Sequence, residues 1–476
     1  MKDKKKLSEM TAPPDLHTAK RVGPVRRQRP QYLDRLPPCN KACPAGENIQ
    51  AWLALAMDKK YKEAWEEITK DNPMPAVHGR VCYHPCEDRC NRGELNTTIS
   101  IHAVERFLGD LAIEKKWEIQ VPKSTGKKAL VVGAGPSGLS AAYHLRRLGH
   151  EVEIHEAGPM AGGMMHFGIP QYRLPRDILD AEIKRIETMG VTIVLNHKVE
   201  NLMEEKKTGD FDAVFVAVGA HLSKRVEIPA KDAGKIVDAL SLLKNVEEGE
   251  DIQLGRRVVI YGGGNTAMDA ARTAKRLGVE EPIIVYRRNR DKAPAHKFEI
   301  DDVEEEGIKI HWLRTIKEIT ETTFTVEKMA LDETGWPQPT GEVETLEADS
   351  LIMAVGQDTD TKFLKDIPSI QFKKDGTVIV NDRMMTGCDG VFAGGDMVPH
   401  ERTVTVAVGH GKKAARNIEA YLKNKSYTPP KKHEDVPFDL MNLWFHTDAP
   451  QRKQSKTDIS ERGSSFMEVL KGLNEK

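Results

Sequence analysis

The cysteines are the residues of this 476-residue chain with the most obvious capacity for chemistry. They stand at Cys39, Cys43, Cys82, Cys86, Cys90 and Cys388. All but the last therefore crowd into the first hundred residues. Disulfides are rare in a reducing cytosol, so cysteines clustered at short spacing favour metal or cluster ligands over covalent links. The pattern predicts a metal-binding segment near the N-terminus.

The spacing inside this segment leaves the kind of metal open. Cys39-x3-Cys43-Pro is followed by Cys82-x3-Cys86-x3-Cys90, which differs from the C-x2-C-x2-C of simple ferredoxins. Four thiolates suit a structural zinc as well as an iron-sulfur cluster. One zinc without acid-labile sulfide would eliminate an electron-transfer role.

A first glycine-rich turn follows a predicted strand at residues 129–132. Gly133, Gly135 and Gly138 form G-x-G-x-x-G at the start of a predicted helix. The first glycine permits the tight turn, the second lets a pyrophosphate approach the backbone, and the third lets helix and strand pack closely. Glu156 stands at the end of the next predicted strand, where an acid can bind a ribose. The whole unit predicts a dinucleotide site.

A second turn of the same kind follows the predicted strand Arg257–Tyr261. Gly262, Gly264 and Ala267 give G-x-G-x-x-A, and Asn265 and Thr266 lie within the turn. The chain therefore contains two strand–turn–helix nucleotide-binding units.

Two arginines indicate which nucleotide the second unit binds. Arg287 and Arg288 stand at the end of its second predicted strand, where an NAD-binding unit places an acid. Guanidinium groups can pair with a 2′-phosphate, so the site is predicted to prefer NADP(H) over NAD(H). The alternative is that both arginines only solvate a strand end.

A third glycine segment, GVFAGGD, ends in Gly395 and Asp396 and leads into a glycine-containing helix pattern. Such a strand and helix could bring a carboxylate to the ribityl or pyrophosphate part of FAD and a helix N-terminus to the flavin. An ordinary strand and turn is the alternative.

The remaining patterns define the organisation of the chain. Apolar spacing predicts an amphipathic helix over residues 49–68, interrupted near Asp58. Small residues end further predicted strands in DAVFVAVGA, SLIMAVGQ and GVFAGGD. Residues 1–35 are basic and poor in apolar side chains, which predicts a loosely held arm. The last fifty residues are predicted to form an extended tail that packs on the body or on a partner.

With these motifs in hand, the sequence resembles the glutamate synthase small-subunit family of flavoproteins, and also the flavin subunit of ferredoxin:NADP oxidoreductases. The resemblance is carried by PCNKACPAGENI, GRVCYHPCEDRC, SIHAVER, VVGAGPSGL, GGMMHFGIPQYRLP, GGGNTAMD, YRR and GVFAGGD. It implies an α/β fold with two Rossmann-like dinucleotide-binding domains, the FAD domain being split by an inserted NADP domain, and an N-terminal α-helical iron-sulfur domain. The predicted boundaries are 1–35 arm, 36–124 iron-sulfur domain, 125–235 FAD domain (first part), 236–345 NADP(H) domain, 346–425 FAD domain (second part) and 426–476 tail.

The resemblance also implies site residues. The segment GGMMHFGIP is expected to lie along the flavin, which would place Gly162, Gly163, Gly168, Ile169 and Pro170 in its pocket.

For the metal, the resemblance implies a 4Fe-4S cluster with Cys43, Cys82, Cys86 and Glu105 as ligands. Relatives with two clusters carry a further cysteine pair upstream, and residues 30 to 38 contain none. Cys39 and Cys90 are then left over, to complete a cluster with other groups, to displace Glu105, or to remain idle thiols.

The expected function is that of a flavin subunit in a multisubunit redox enzyme. NADPH would transfer a hydride to FAD, and electrons would pass singly to the cluster and onward, or the flow would run in reverse. A glutamate synthase small subunit feeding an amidotransferase and a scaffold with relic nucleotide sites are the alternatives. No side chain is predicted to be catalytic.

Charge and composition limit the classes of partner that are expected. Lys and Arg total 71 against 72 for Asp and Glu, which gives no reason to expect nucleic acid or a membrane surface. No apolar run is long enough to span a membrane, and a cytoplasmic location is expected. The expected partners are other redox subunits or ferredoxin.

Overall fold

A computed structural model describes residues 35–224, 228, 235–320, 322–431, 433–441, 443 and 448–475. Of the predicted basic arm, residues 1–34 lie outside this described part of the chain.

The domain that carries the clustered cysteines is helical. Its helices are α1 (Pro38–Ala42), α2 (Ile49–Met57), α3 (Tyr61–Ile68), α4 (Pro75–Val81), α5 (Pro85–Asp88) and α6 (Ile101–Glu114). The predicted interruption near Asp58 is confirmed, because α2 ends before it and α3 begins after it. Trp52 of α2 and Ile68 of α3 are fully buried in one shared small core.

The next part of the chain builds the first nucleotide-binding domain. Its elements are β1 (Lys128–Val132), α7 (Pro136–Arg147), β2 (Glu151–His155), α8 (Met164–Phe167), α9 (Arg176–Thr188), β3 (Val191–Val194), α10 (Leu202–Thr208), β4 (Ala213–Val216) and β5 (Leu222–Ser223).

A second nucleotide-binding domain follows. Its elements are β6 (Lys235–Asp238), α11 (Ala239–Glu247), β7 (Arg257–Tyr261), α12 (Asn265–Arg276), β8 (Glu281–Tyr286), α13 (Lys297–Glu305), β9 (Lys309–Trp312), β10 (Arg314–Ile319), β11 (Thr323–Leu331), β12 (Pro337–Glu347) and β13 (Ser350–Met353). The chain then returns through β14 (Gln357–Asp358), β15 (Val391–Ala393), α14 (Val404–Leu422) and α15 (Ile459–Arg462).

Each nucleotide-binding domain contains one five-stranded parallel sheet. The first sheet has the order β15-β4-β1-β2-β3 and the second the order β6-β13-β7-β8-β9. Side chains such as Val131, Phe215 and Phe392 are fully buried, as expected for parallel strands covered on both faces. Because β15 lies beside β4, the first domain is interrupted in sequence and continuous in space.

The second sheet corrects one predicted boundary. The FAD domain was expected to resume at residue 346, yet β13 pairs in parallel with β6 and β7 of the inserted domain. The inserted domain therefore extends through Met353. SLIMAVG is a short apolar run that ends in small residues, as VFVAVG of the first sheet does. Such a pattern does not indicate which sheet the strand joins.

An antiparallel meander, β10-β11-β12, extends the inserted domain and was not predicted. Phe324 and Val326 of its middle strand share a buried core with Val259 of β7. Its β11–β12 turn carries Trp336, half of which is exposed to solvent.

The helical domain packs on the first nucleotide-binding domain. Tyr143 Oη of α7 donates to Thr69 O at 2.8 Å, and Ala76 N of α4 donates to Glu182 Oε1 of α9 at 2.8 Å. Lys412 of α14 forms an ion pair with Asp71 at 2.8 Å. The cysteines are thereby fixed relative to the first sheet.

The C-terminal tail contacts all three domains. Glu468 pairs with Arg80 of the helical domain at 2.8 Å, and Lys456 pairs with Asp302 of the inserted domain at 2.6 Å. Val469 N donates to Tyr172 O, which belongs to the first domain. No helix in the described residues is long and apolar enough to cross a membrane.

Tyr172 also joins the two nucleotide-binding domains. The guanidinium carbons of Arg272 and Arg276 on α12 lie 4.8 and 3.9 Å from its ring centre. Buried Glu306 pairs with Arg272 at 2.7 Å and with Arg276 at 2.8 Å. Burial alone would raise the pKa of Glu306, but hydrogen bonds from the two arginines lower it to about 2. Glu306 therefore holds both arginines against the ring.

We expect Glu306→Gln to lower the thermal unfolding midpoint by several degrees, because losing one partner of a buried ion pair costs roughly 3–5 kcal/mol. The pKa of Glu306 is depressed in the folded protein, so its contribution is complete above about pH 4.5 and is lost as the pH falls towards 2. The difference between variant and wild type should shrink over that range in calorimetry. Glu304→Gln is the control, since Glu304 pairs with Arg290 at the exposed surface; an equal effect of both variants would contradict the prediction.

Candidate functional site

The first glycine turn lies between β1 and α7. Gly133 has a φ of +104°, and a Cβ atom there would lie 2.5 Å from Ala217 O. A Cβ on Gly138 would lie 1.9 Å from Gly133 O, so helix and strand touch through this residue. Beside Gly135 the space is open, because a Cβ there meets no atom within 4 Å. The turn thus leaves room for a ligand only at its second glycine, where the N-terminus of α7 points.

Glu156 and the glycine pair that follows it complete the rim of this space. The Glu156 carboxylate accepts hydrogen bonds from Ala134 N at 2.7 Å and Gly158 N at 2.8 Å. A Cβ on Gly163 would lie 2.9 Å from Gly135 Cα, and Gly162 N donates to Ala134 O at 2.9 Å. The structure therefore brings Glu156, Gly162 and Gly163 to the first turn.

Gly168, Ile169 and Pro170 lie beyond α8. Ile169 and Pro170 line a cavity of about 270 Å³ together with residues of α11 and α12. Arg176 Nη2 donates to Ile169 O at 2.6 Å and fixes the segment. A place for this segment beside the flavin stays a prediction.

The turn after β15 reaches the same region. Gly395 has a φ of +73°, and a Cβ there would lie 3.0 Å from Ser137 Cβ of α7. Burial raises the pKa of Asp396 to about 6, against the opposing effect of Arg402. The Ser137 hydroxyl is buried without a hydrogen-bond partner among the described residues. An open glycine, an orphaned hydroxyl and a desolvated carboxyl fit the pyrophosphate and ribityl groups of FAD.

The second turn lies between β7 and α12 and has the same construction. A Cβ on Gly262 would lie 2.3 Å from Ala354 O, whereas beside Gly264 the nearest such contact, Pro294, is 3.9 Å away. Ala267 is fully buried where α12 packs. Again the ligand space lies at the second glycine.

The side chains at the start of α12 differ in their contacts. Asn265 donates to Tyr83 Oη of the helical domain at 2.6 Å and accepts from His296 N at 3.0 Å. Thr266 is half-buried in the first turn of the helix. The second turn is therefore in direct contact with the segment that carries Cys82.

Arg287 and Arg288 follow β8, as the sequence indicated. Their guanidinium carbons lie 5.3 and 4.9 Å from the ring centre of Trp336. Buried Nε of Arg288 has no hydrogen-bond partner among the described residues. Arg290 differs, because it pairs with Asp301 and Glu304. Two arginines held by an aromatic ring instead of by carboxylates are suited to binding a phosphate.

The predicted cluster ligands surround one small cavity. Cys43, Cys82, Cys86 and Glu105 line it, with Glu47, His78 and Thr405 among the other wall residues. Asn72 Nδ2 donates to Glu105 Oε1 at 2.6 Å and orients that carboxyl group.

The ligands of this cavity are buried, and burial raises their pKa. Burial raises the pKa of Cys82 to about 12, and the nearby Glu105 adds to the shift. Burial and then the Glu47 carboxyl raise the pKa of Cys43 and of Glu105 well above their usual values. Three thiols and a carboxyl are thus neutral unless a cationic group enters, and a 4Fe-4S cluster is such a group.

Cys39, Cys90 and Cys388 do not line this cavity. Cys39 is buried, and burial followed by the nearby Cys90 raises its pKa to about 11. Cys388 packs against the core of the first sheet, far along the chain. A role as metal ligand stays a prediction for Cys39 and for Cys90.

Sequence reasoning missed the contact that links the sites. Thr405 Oγ1 in the first turn of α14 donates to Cys82 Sγ at 3.1 Å. These residues are 323 positions apart, and nothing in the TVTV segment indicates a contact with a cysteine. Glu47 and His78 of the cavity wall were also missed, although Glu47 lies in the cysteine-bearing segment PCNKACPAGENI.

With this geometry established, comparison with known proteins gives the family. A profile described as pyridine nucleotide-disulphide oxidoreductase matches residues 127–411, which hold both glycine turns. The chain belongs to this family. A second profile, described as dihydropyrimidine dehydrogenase domain II, 4Fe-4S cluster, matches residues 34–117. The chain is an FAD-dependent NAD(P)H oxidoreductase with an iron-sulfur domain.

Individual relatives agree with this family. The oxidoreductase is 35% identical to the NADP(+)-dependent formate dehydrogenase subunit beta of Moorella thermoacetica, over 92% of this chain and 68% of that protein. It is 32% identical to the glutamate synthase [NADPH] small chain of Azospirillum brasilense, over 83% of this chain and 88% of that protein. The structure of Mycobacterium tuberculosis FprA in complex with NADPH shares the fold, with a TM-score of 0.52, 18% identity, and coverage of 64% and 87%. The predicted family and fold class are confirmed.

Two alanine substitutions test which nucleotide each turn holds. We expect Gly135→Ala to lower the flavin content of purified protein, because the methyl group occupies the open space at the first turn. Gly264→Ala should leave the flavin bound and raise the KM for NADPH. Absorbance of the released flavin and steady-state kinetics measure the two effects. Loss of flavin from Gly264→Ala but not from Gly135→Ala would contradict the assignment of FAD to the first turn and NADPH to the second.

Two cysteine substitutions, one inside the cavity and one outside it, test the cluster site. Cys82→Ser should abolish the acid-labile sulfide, because it removes one of three thiols around the cavity. Cys388→Ser, outside the cavity, should retain the sulfide of the wild type. Both variants should keep their flavin. Equal sulfide in Cys82→Ser and wild type would contradict the assignment.

Proposed function

We propose that this oxidoreductase carries electrons from NADPH at the second glycine turn, through FAD at the first, to a 4Fe-4S cluster held by Cys43, Cys82, Cys86 and Glu105. A partner redox subunit then receives them. Bound FAD would supply the conversion between hydride transfer and single-electron transfer.

One observation carries the proposal: residues 82 and 83 contact both nucleotide-binding domains. Cys82 Sγ accepts from Thr405 on α14, and Tyr83 Oη accepts from Asn265 at the second turn. The Tyr83 ring also stacks on His296, with ring centres 3.6 Å apart. A thiol at the cluster cavity is therefore part of the same packed unit as both glycine turns.

The chain's own residues supply position and screening. α14 connects the Gly395–Asp396 turn to the cavity, and Ser140 Oγ of α7 donates to Val408 O of α14 at 2.8 Å. Apolar side chains close the cavity, with Ile49, Ile101, Pro44 and Pro85 in its wall. Such a wall would keep water from a bound cluster and fix the distance over which electrons pass between the cluster and FAD.

The choice of NADPH rests on Arg287 and Arg288. Neither has a carboxylate partner in the described residues, and both lie beside the end of β8, where the ribose of a bound nucleotide would lie. The relatives' names support the choice, since two of them name NADP(+) or NADPH. Both of these relatives are named as subunits or chains of larger enzymes, which supports a redox partner.

We also propose a cytoplasmic location. No disulfide joins any of the described cysteines, as expected in a reducing compartment.

The direct test is an anaerobic titration with NADPH. The flavin absorbance should bleach first, and the cluster signal should then change as electrons are passed on. A yellow protein whose flavin stays oxidised under excess NADPH would overturn the proposal. Affinity capture of the native complex should recover a second redox protein.

A charge substitution tests nucleotide choice. We expect Arg288→Ser to lower kcat/KM for NADPH by about 10- to 100-fold, the effect of losing a charge-assisted hydrogen bond of roughly 1.5–3 kcal/mol. The value for NADH should change little, because NADH lacks the 2′-phosphate. Arg290→Ser is the matched control, since Arg290 is already paired with two acids. Parallel losses with both nucleotides would show that Arg288 has another role.

A further inference from the structure

A cluster of two histidines and a glutamate lies at the carboxyl end of β2, outside the electron-transfer site. His155 ends β2, His197 follows β3, and Glu205 lies in α10. His155 Nδ1 and His197 Nε2 each lie 3.0 Å from Glu205 Oε1. The two imidazole ring centres are 4.3 Å apart. Three atoms that bind metals therefore converge on one point.

His155 has different groups beside its two ring nitrogens. Its Nε2 lies 2.7 Å from Glu153 Oε1, and that carboxylate can only accept, so Nε2 carries the hydrogen. Its Nδ1 faces Glu205 Oε1. Although the two atoms are 3.0 Å apart, Nδ1 is buried without a hydrogen bond among the described residues. The side chain is only 5% exposed, so water does not relieve this orphaned atom.

We propose that His155 Nδ1, His197 Nε2 and Glu205 Oε1 bind a divalent transition-metal ion of the Zn²⁺ type. Two imidazoles and one carboxylate are a usual donor set for zinc, whereas Mg²⁺ prefers oxygen donors alone. A metal-bound histidine commonly donates its other N–H to a carboxylate, which Glu153 provides here. Glu153 is itself held by Lys128 at 3.1 Å.

The rest of the coordination sphere is open to solvent. The His197 and Glu205 side chains are 40% and 26% exposed, so a metal ion can enter and a water molecule can take a fourth position. The expected geometry is tetrahedral, with three protein ligands.

The metal would support the first nucleotide-binding turn. His197 N donates to Glu156 O at 2.8 Å, and the Glu156 carboxylate binds Ala134 N within the turn. Fixing His197 and Glu205 to His155 joins the ends of β2 and β3 to α10. A bound ion would therefore stabilise the segment beside the first glycine turn.

Zinc binding by the intact, flavin- and cluster-loaded protein under anaerobic conditions tests the proposal. Titration calorimetry with Zn²⁺ should show a site that His197→Gln and Glu205→Gln weaken by at least about 100-fold, more than loss of a supporting hydrogen bond does. Glu204→Gln and His221→Gln are the matched controls, because both residues are exposed and lie outside the cluster. The controls should bind as the wild type does.

Two further measurements separate this site from binding at the cysteines. X-ray absorption of the added zinc should show nitrogen and oxygen ligands at about 2.0–2.1 Å, without sulfur at about 2.3 Å. Glu153→Gln should weaken binding by about 10- to 100-fold while every ligand stays in place. Zinc affinity equal in wild type, His197→Gln and Glu205→Gln, or zinc found only on sulfur, would overturn the proposal.

Discussion

The structure depends on the close packing of α14 between the helical domain and α7. A Cβ on Gly409 would lie 2.3 Å from Pro44 O, and a Cβ on Gly411 would lie 2.3 Å from Ser137 O. No larger side chain fits at either position without moving backbone. The helix therefore brings the loop after Cys43 and the first nucleotide turn to its two sides, at distances that main-chain atoms set.

Packing at this distance buries polar groups that need a partner. The thiols of Cys43, Cys82 and Cys86 are neutral in this environment, and so is the carboxyl of Glu105. Metal ligands must lose their protons on binding, so cluster binding and the docking that buries these groups are energetically linked. Lys412 supplies a nearby positive charge on α14, but it is engaged by Asp71 at 2.8 Å.

Local patterns predicted the parts of the site that are contiguous in sequence. Each glycine turn lies within a single strand–turn–helix segment, so Gly133 to Gly138 and Gly262 to Ala267 were identified from spacing alone. Contacts between distant segments had no such signal, as with Thr405 and Cys82 at a separation of 323 residues. The sheet to which β13 belongs was also beyond local patterns, because buried parallel strands share one composition. Resemblance supplied Glu105, whose chemistry alone does not distinguish it from other buried acids.

The second nucleotide-binding domain is held in place by contacts with both the helical domain and the first nucleotide-binding domain. Tyr83 of the helical domain binds Asn265 at the start of α12. Arg173 of the first domain binds Asp269 at 2.7 Å and Glu299 at 2.6 Å, within α12 and α13 of the second. Rotation of the second domain would break both contacts and expose buried charges, which is costly. The distance between the two nucleotide turns is therefore set by packing, and Arg287 and Trp336 remain exposed near the end of β8.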